Sequence, residues 1–175
     1  MLHQAIEKLA NTMALLGGAV LCSVVAMVCV SVGGRELSDL AHAYDIGWML
    51  DAGVGPILGD FELVEAGVAF AIFAFLPITQ LSGAHARVDV FTAGMGARVN
   101  RGLATFWTFL MAVIVILITW RLFAGMQDKI RYGETTYLIQ FPIWWSYAAS
   151  LVAAIAASIV SIYCAAMRLV GEPVE

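Results

Sequence analysis

Three polar side chains with chemical potential, His85, Arg87 and Asp89, lie close together in the segment ITQLSGAHARVDVF, residues 78–91. An imidazole, a guanidinium and a carboxylate at this spacing are able to exchange protons or to form charge-assisted hydrogen bonds. A second group, the carboxylates Glu62 and Glu65, stands in GDFELVEAG, and the thiols are Cys22, Cys29 and Cys164. Bis-histidine haem ligation requires imidazoles on facing helices, whereas His3, His42 and His85 all fall outside the apolar runs. A thiol oxidase requires paired reactive cysteines; here each cysteine sits alone in apolar sequence, without a CxxC pair, in the manner of a small apolar filler. Metal-dependent hydrolysis would call for a cluster such as HExxH, which the chain does not contain.

The elements that must position these groups follow from composition. With 62% hydrophobic residues, 13% charged residues and a mean hydropathy of +0.89 over 175 residues, the chain does not describe a water-soluble domain. A hydrocarbon core about 30 Å thick takes about 20 helical residues to cross. Residues 13–32, 66–84, 102–120 and 135–167 carry no charge. We read an all-α integral membrane protein, a single membrane domain over 1–175, with four transmembrane helices at about 10–33, 63–82, 103–124 and 142–167. Barrel strands are excluded because the runs lack ten-residue alternation, and in lipid only helices and closed barrels satisfy their own backbone. The first run is longer than a signal-peptide core and lacks a small-x-small cleavage site before Gly33-Gly34, so it is expected to be retained.

Four spans place both termini on one side. Lys8, Arg87, Arg98, Arg101 and Arg168 would share the side of the termini, against Arg35, Arg121, Lys129 and Arg131 opposite. The positive-inside rule therefore favours cytoplasmic termini. That orientation makes 34–61 and 125–141 periplasmic and 83–101 cytoplasmic. In the first connector Leu37, Leu40 and Tyr44 alternate with Glu36, Asp39 and Asp45, a pattern expected to form a short interfacial amphipathic segment. A second such helix is expected over 88–99, with Asp89 near its amino end. The net charge of −4 argues against a nucleic-acid partner.

The spans differ in what they would touch. Residues 106–120, FWTFLMAVIVILITW, are bulky nearly all round and suit lipid. The fourth span instead repeats Ser150, Ala154, Ala157, Ser161 and Ala165, and the second repeats Gly67, Ala71 and Ala74. Such stripes allow close backbone approach, either to the chain's own helices or to another subunit. Pro142 is placed for the first turn of the fourth helix, followed by Trp144 and Trp145 as headgroup anchors. Pro77 removes one bond inside the second helix and is expected to kink it, with Thr79 and Gln80 near enough to satisfy the freed carbonyl.

Glu65, one turn into the second span, raises the alternative of a stand-alone proton-coupled transporter. Its closeness to Asp60 and Glu62 favours an interfacial position instead, and the chain shows neither an internal repeat nor paired broken helices.

GDFELVEAG, FLPITQLSGAHARVDVF and YGETTYLIQFPIWWSY, in this order and within a chain of this size and span number, resemble the small DctQ-type membrane subunit of tripartite ATP-independent periplasmic (TRAP) transporters. The resemblance implies an accessory subunit of the bacterial inner membrane, not an enzyme. It would dock on a large membrane subunit that imports an organic acid with sodium, fed by a periplasmic substrate-binding protein. Sodium is then expected on the large subunit, and no cofactor on this chain. By the same likeness Glu62 and Glu65 lie near the periplasmic entrance of the second helix and His85, Arg87 and Asp89 at its cytoplasmic exit, as interface features. Pro77, Gln80, Pro142, Trp144, Trp145, Ala154, Ala157 and Ser161 complete the set of candidate interface or structural residues, and the second and fourth helices are the expected docking elements.

Overall fold

The computed structural model describes residues 1–44, 46, 48, 53–83 and 97–170. Four helices make up the architecture: α1 (Leu2–Ala43), α2 (Asp60–Leu81), α3 (Ala97–Tyr132) and α4 (Ile143–Val170). All four are long and apolar enough to cross a membrane. The helix of 42 residues, α1, is about 63 Å long at 1.5 Å per residue, twice the hydrocarbon thickness.

That length corrects one expectation. Residues 34–43 do not form a separate surface segment; Leu37 and Leu40 belong to the last turns of α1, which runs through Gly33-Gly34 without a break. Charged residues after Arg35 mark where the apolar run stops, but a helix leaving lipid keeps its own hydrogen bonds and has no reason to end there. Its end comes at Tyr44, whose amide bonds back to the Leu40 carbonyl. The segment expected around Asp89 lies mostly outside the described residues, which resume with α3 at 97.

The helices form a layer with α4 in the middle. α4 packs on α2 and α3 and touches α1, while α1 packs on α2; among the described residues no backbone contact joins α3 to α1 or to α2. Half of α4's apolar window is buried inside the protein, against 6% for α1, 17% for α2 and 11% for α3. The small-residue stripe is the cause: Ser150, Ala153, Ala154, Ala156, Ala157 and Ser161 are all buried. Ala154, Ala157 and Ser161 thus face the chain's own helices. What α4 leaves outside is a strip of Val152, Ile155, Ile159 and Ile162. α3 exposes Phe106, Trp107, Phe109, Ile116, Leu117 and Trp120 and, among its described apolar side chains, buries only Ala112 and Val115.

The second stripe joins α2 to α1. Ala71 and Ala74 are buried against the Gly17 region, and Gly67 meets Val20 and Val24 so closely that a methyl group built on it would stand 2.6 Å from Val24 Cγ2. At the end of the bundle that holds both termini, Ile6, Ala10, Leu81, Val160 and Cys164 form an apolar cluster. His3 Nδ1 lies 3.0 Å from the Tyr163 hydroxyl there. Between α3 and α4, the Thr119 hydroxyl lies 2.9 Å from that of Ser158 and 3.2 Å from the Ala154 carbonyl. Interhelical polar contacts of this kind hold helices together where lipid supplies no hydrophobic drive.

Candidate functional site at the far end of the bundle

Opposite the termini, three interhelical devices converge on the start of α2. Gly59 precedes α2 in the left-handed region, φ +74°, and the Ile139 side chain fills the place of its missing Cβ. Its carbonyl accepts from the Glu62 and Leu63 amides, which starts the helix. Asp60, the first residue of α2, accepts a hydrogen bond from the Ser31 hydroxyl of α1 and another from the Phe61 amide. Ser31, itself 1% exposed, also accepts from the Ile57 amide, so one hydroxyl ties α1, the connector and α2. The Ser31 hydroxyl, then the Phe61 amide, hold the Asp60 carboxyl below its ordinary range, with Arg35 adding a smaller favourable charge against desolvation.

The second device is Glu62. After α3 ends, Gly133 at φ +61° and the pair of bonds from the Gly133 amide to Ile130 and from the Glu134 amide to Lys129 close the helix as a Schellman motif. Lys129 then pairs with Glu134. A short hairpin follows, bridged at Thr135 and Pro142 and bonded from the Thr136 amide to the Phe141 carbonyl. Gln140, at φ +55°, turns its tip. The tip presents backbone amides in one direction, and Glu62 of α2 occupies them: its carboxylate accepts from the Leu138 amide at 2.6 Å and the Ile139 amide at 3.0 Å. This is anion capture by a backbone nest. Desolvation pushes the Glu62 carboxyl up, but bonds from Leu138, the Thr136 side chain, Ile139 and Tyr137 outweigh it and leave the group below its ordinary range.

The third device is a cleft of about 280 Å³ where α2 and α3 part over α4. Glu62 and Glu65 lie at its acidic side; Thr136, Ser146, Tyr147 and Ser150 offer hydroxyls; Phe73, Leu122 and Ile143 are its larger apolar walls. Glu65 is exposed and, among the described residues, has no hydrogen-bond or ion-pair partner. The Ser150 hydroxyl is buried and has no hydrogen-bond partner among the described residues.

The sequence-derived residues separate accordingly. Glu62 bonds to the α3–α4 hairpin and Glu65 lines the cleft beside it; Pro142 belongs to that hairpin and bridges Thr135 one residue before α4 instead of opening its first turn. Trp144 and Trp145 are exposed beside it, in edge-to-face contact with each other. Pro77 is fully buried within α2, which continues past it to Leu81. Proline leaves the carbonyl four residues earlier, on Phe73, without an amide, yet the Thr79 hydroxyl bonds to the Phe75 carbonyl instead. The Gln80 carbonyl accepts from the Cys164 thiol at 3.7 Å. His85, Arg87 and Asp89 lie outside the described residues. Missed at the level of sequence were Ser31, Asp60 as its partner, the hairpin amides that hold Glu62, and the hydroxyl of Ser150. The acids Asp60 and Glu62 in a first helical turn signalled an anchored helix start, but not what anchors it.

No curated protein and no solved structure matches the chain. The family model for the DctQ component of tripartite ATP-independent periplasmic transporters matches residues 24–171, a stretch that takes in α2, α3, the hairpin, α4 and the second half of α1. The far-end devices fall within that match, and the chain belongs to the DctQ family of TRAP transporter membrane components.

Proposed function

We propose that this chain is a scaffold: it docks on the large membrane subunit of a TRAP importer and holds that subunit steady in the bilayer. In this reading the large subunit carries an organic acid inward with sodium, and a periplasmic binding protein delivers the substrate. Both termini of this chain are cytoplasmic, so the far end with Glu62 and the hairpin faces the periplasm. The single observation that supports the role is how the polar groups of the spans are used. Thr12, Ser23, Thr79, Thr108 and Thr119 all return hydrogen bonds to carbonyls of their own helices, and α2 runs unbroken through Pro77. Secondary transporters instead bind ions at broken helices near the midplane. A packed layer of unbroken helices suits a body against which another subunit moves.

Co-expression with the large subunit tests this. A stable stoichiometric complex is expected, with no sodium- or proton-dependent uptake by this chain alone in liposomes. Uptake by the isolated chain, abolished in Glu65→Gln, would instead establish a stand-alone proton-coupled transporter.

A further inference from the structure

The far-end cleft has the chemistry of a ligand site, and the elements around it say what kind. Its walls are mainly apolar, Ala69, Phe73 and Leu122 among them, whereas its charged lining residues are both carboxylates. One of these, Glu62, is engaged by the hairpin; the other, Glu65, is exposed and without a partner among the described residues. Among the lining residues Ser150 is 2% exposed, and its hydroxyl has no hydrogen bond among the described residues. A buried hydroxyl left unpaired costs free energy unless something satisfies it. The cleft is open between α2 and α3, whose backbones make no contact among the described residues, and in a membrane that opening gives onto lipid. Glu65 stands one turn into α2, and exposed Trp144 and Trp145 begin α4 at the same end, the depth at which headgroups lie.

We propose that this cleft binds a phospholipid carrying a primary ammonium headgroup, a phosphatidylethanolamine. The ammonium, with three donors and no acceptor, meets the Glu65 carboxylate and the Ser150 hydroxyl; an acyl chain runs along Ala69 and Phe73. The volume of about 280 Å³ accepts a headgroup but is far too small for a helix about 10 Å across. Phosphatidylglycerol lacks the cation, and the trimethylated headgroup of phosphatidylcholine lacks the N–H donors.

The test is titration of the purified full-length chain in detergent with dioleoyl phosphatidylethanolamine, phosphatidylcholine and phosphatidylglycerol, followed by native mass spectrometry. Retention of the ethanolamine lipid should exceed that of the other two at least tenfold. Glu65→Gln should remove that preference, and Ala69→Phe, which fills the cleft, should remove binding while far-UV circular dichroism stays unchanged. Equal retention of all three lipids, or undiminished preference in Glu65→Gln, would overturn the assignment. So would equal retention combined with poorer recovery of the large subunit by Glu65→Gln, which would give the cleft to a basic side chain of that subunit. Because the isolated chain is used, failure here leaves the scaffold reading to its own experiment.

Discussion

Replacing Gly67 by Ala isolates the contact between α1 and α2. A methyl group at this position would stand 2.6 Å from Val24 Cγ2 and 3.4 Å from Val20 Cγ1. Carbon atoms settle at about 3.5–4.0 Å, so the helices must separate locally by about 1 Å or Val24 must leave its rotamer. Overpacking of this size costs about 1–3 kcal/mol. The usual gain in helix propensity from Gly to Ala does not offset it. Membrane helices stay helical when they dissociate, so the propensity appears on both sides of the equilibrium. Gly18, one position from the contact residue Gly17 but with no atom near a built Cβ, is the control, and Gly18→Ala should fall within about 0.5 kcal/mol of the parent. Removing the obstructing methyls in Gly67→Ala/Val24→Ala should recover most of the loss. The assay is unfolding of the purified protein from mild detergent into increasing mole fractions of sodium dodecyl sulfate, read by tryptophan fluorescence. If Gly67→Ala is as stable as the parent, or if Val24→Ala brings no recovery, the α1–α2 packing described here is wrong.

Glu62 carries a pH dependence whose sign follows from its lowered pKa. The carboxylate is held by hairpin amides in the folded state only, so its contribution is present above the ordinary carboxylate range and is lost as pH falls through the lower folded value. Hydrogen exchange at Leu138 and Ile139 should therefore lose its protection on acidification below that range, and Glu62→Gln should abolish the pH dependence; protection that is insensitive to both would refute the nest. Thr119→Val removes the α3–α4 hydroxyl contact and should cost about 0.6 kcal/mol, at most about 1.7. A double-mutant cycle with Ser158→Ala checks it, and additive losses would show that the two hydroxyls do not interact.

Sequence and tertiary structure contributed differently to each part of the molecule. The four apolar helices were legible because lipid leaves the backbone no other partner, and a hydrophobic run must then be helical whatever it packs against. The roles of α3 and α4 were legible for a related reason. Side-chain size alone separates FWTFLMAVIVILITW, which stays on the surface, from the Ser150–Ser161 stripe, which admits a neighbouring backbone. Small residues specify closeness and not identity, so only the structure shows that Ser150, Ala154, Ala157 and Ser161 are buried within the chain. The apolar run marks a span of about 10–33, whereas the helix runs on to Ala43, because hydropathy reports where lipid stops and the helix ends only where its backbone bonds do.

By itself, the amino-acid order determined that this is a four-helix membrane protein and that its acids gather before the second apolar run. Only the tertiary structure decided that Glu62 is held by amides on a hairpin more than seventy positions away, that Ser31 secures Asp60, and that a gap between α2 and α3 leaves Glu65 and Ser150 facing a cleft. The physical reason is range. Hydrophobic pattern and residue size act through each residue's own surroundings in lipid, whereas a backbone amide carries no mark in the sequence of where it will point until the turns at Gly59, Gly133 and Gln140 have aimed it.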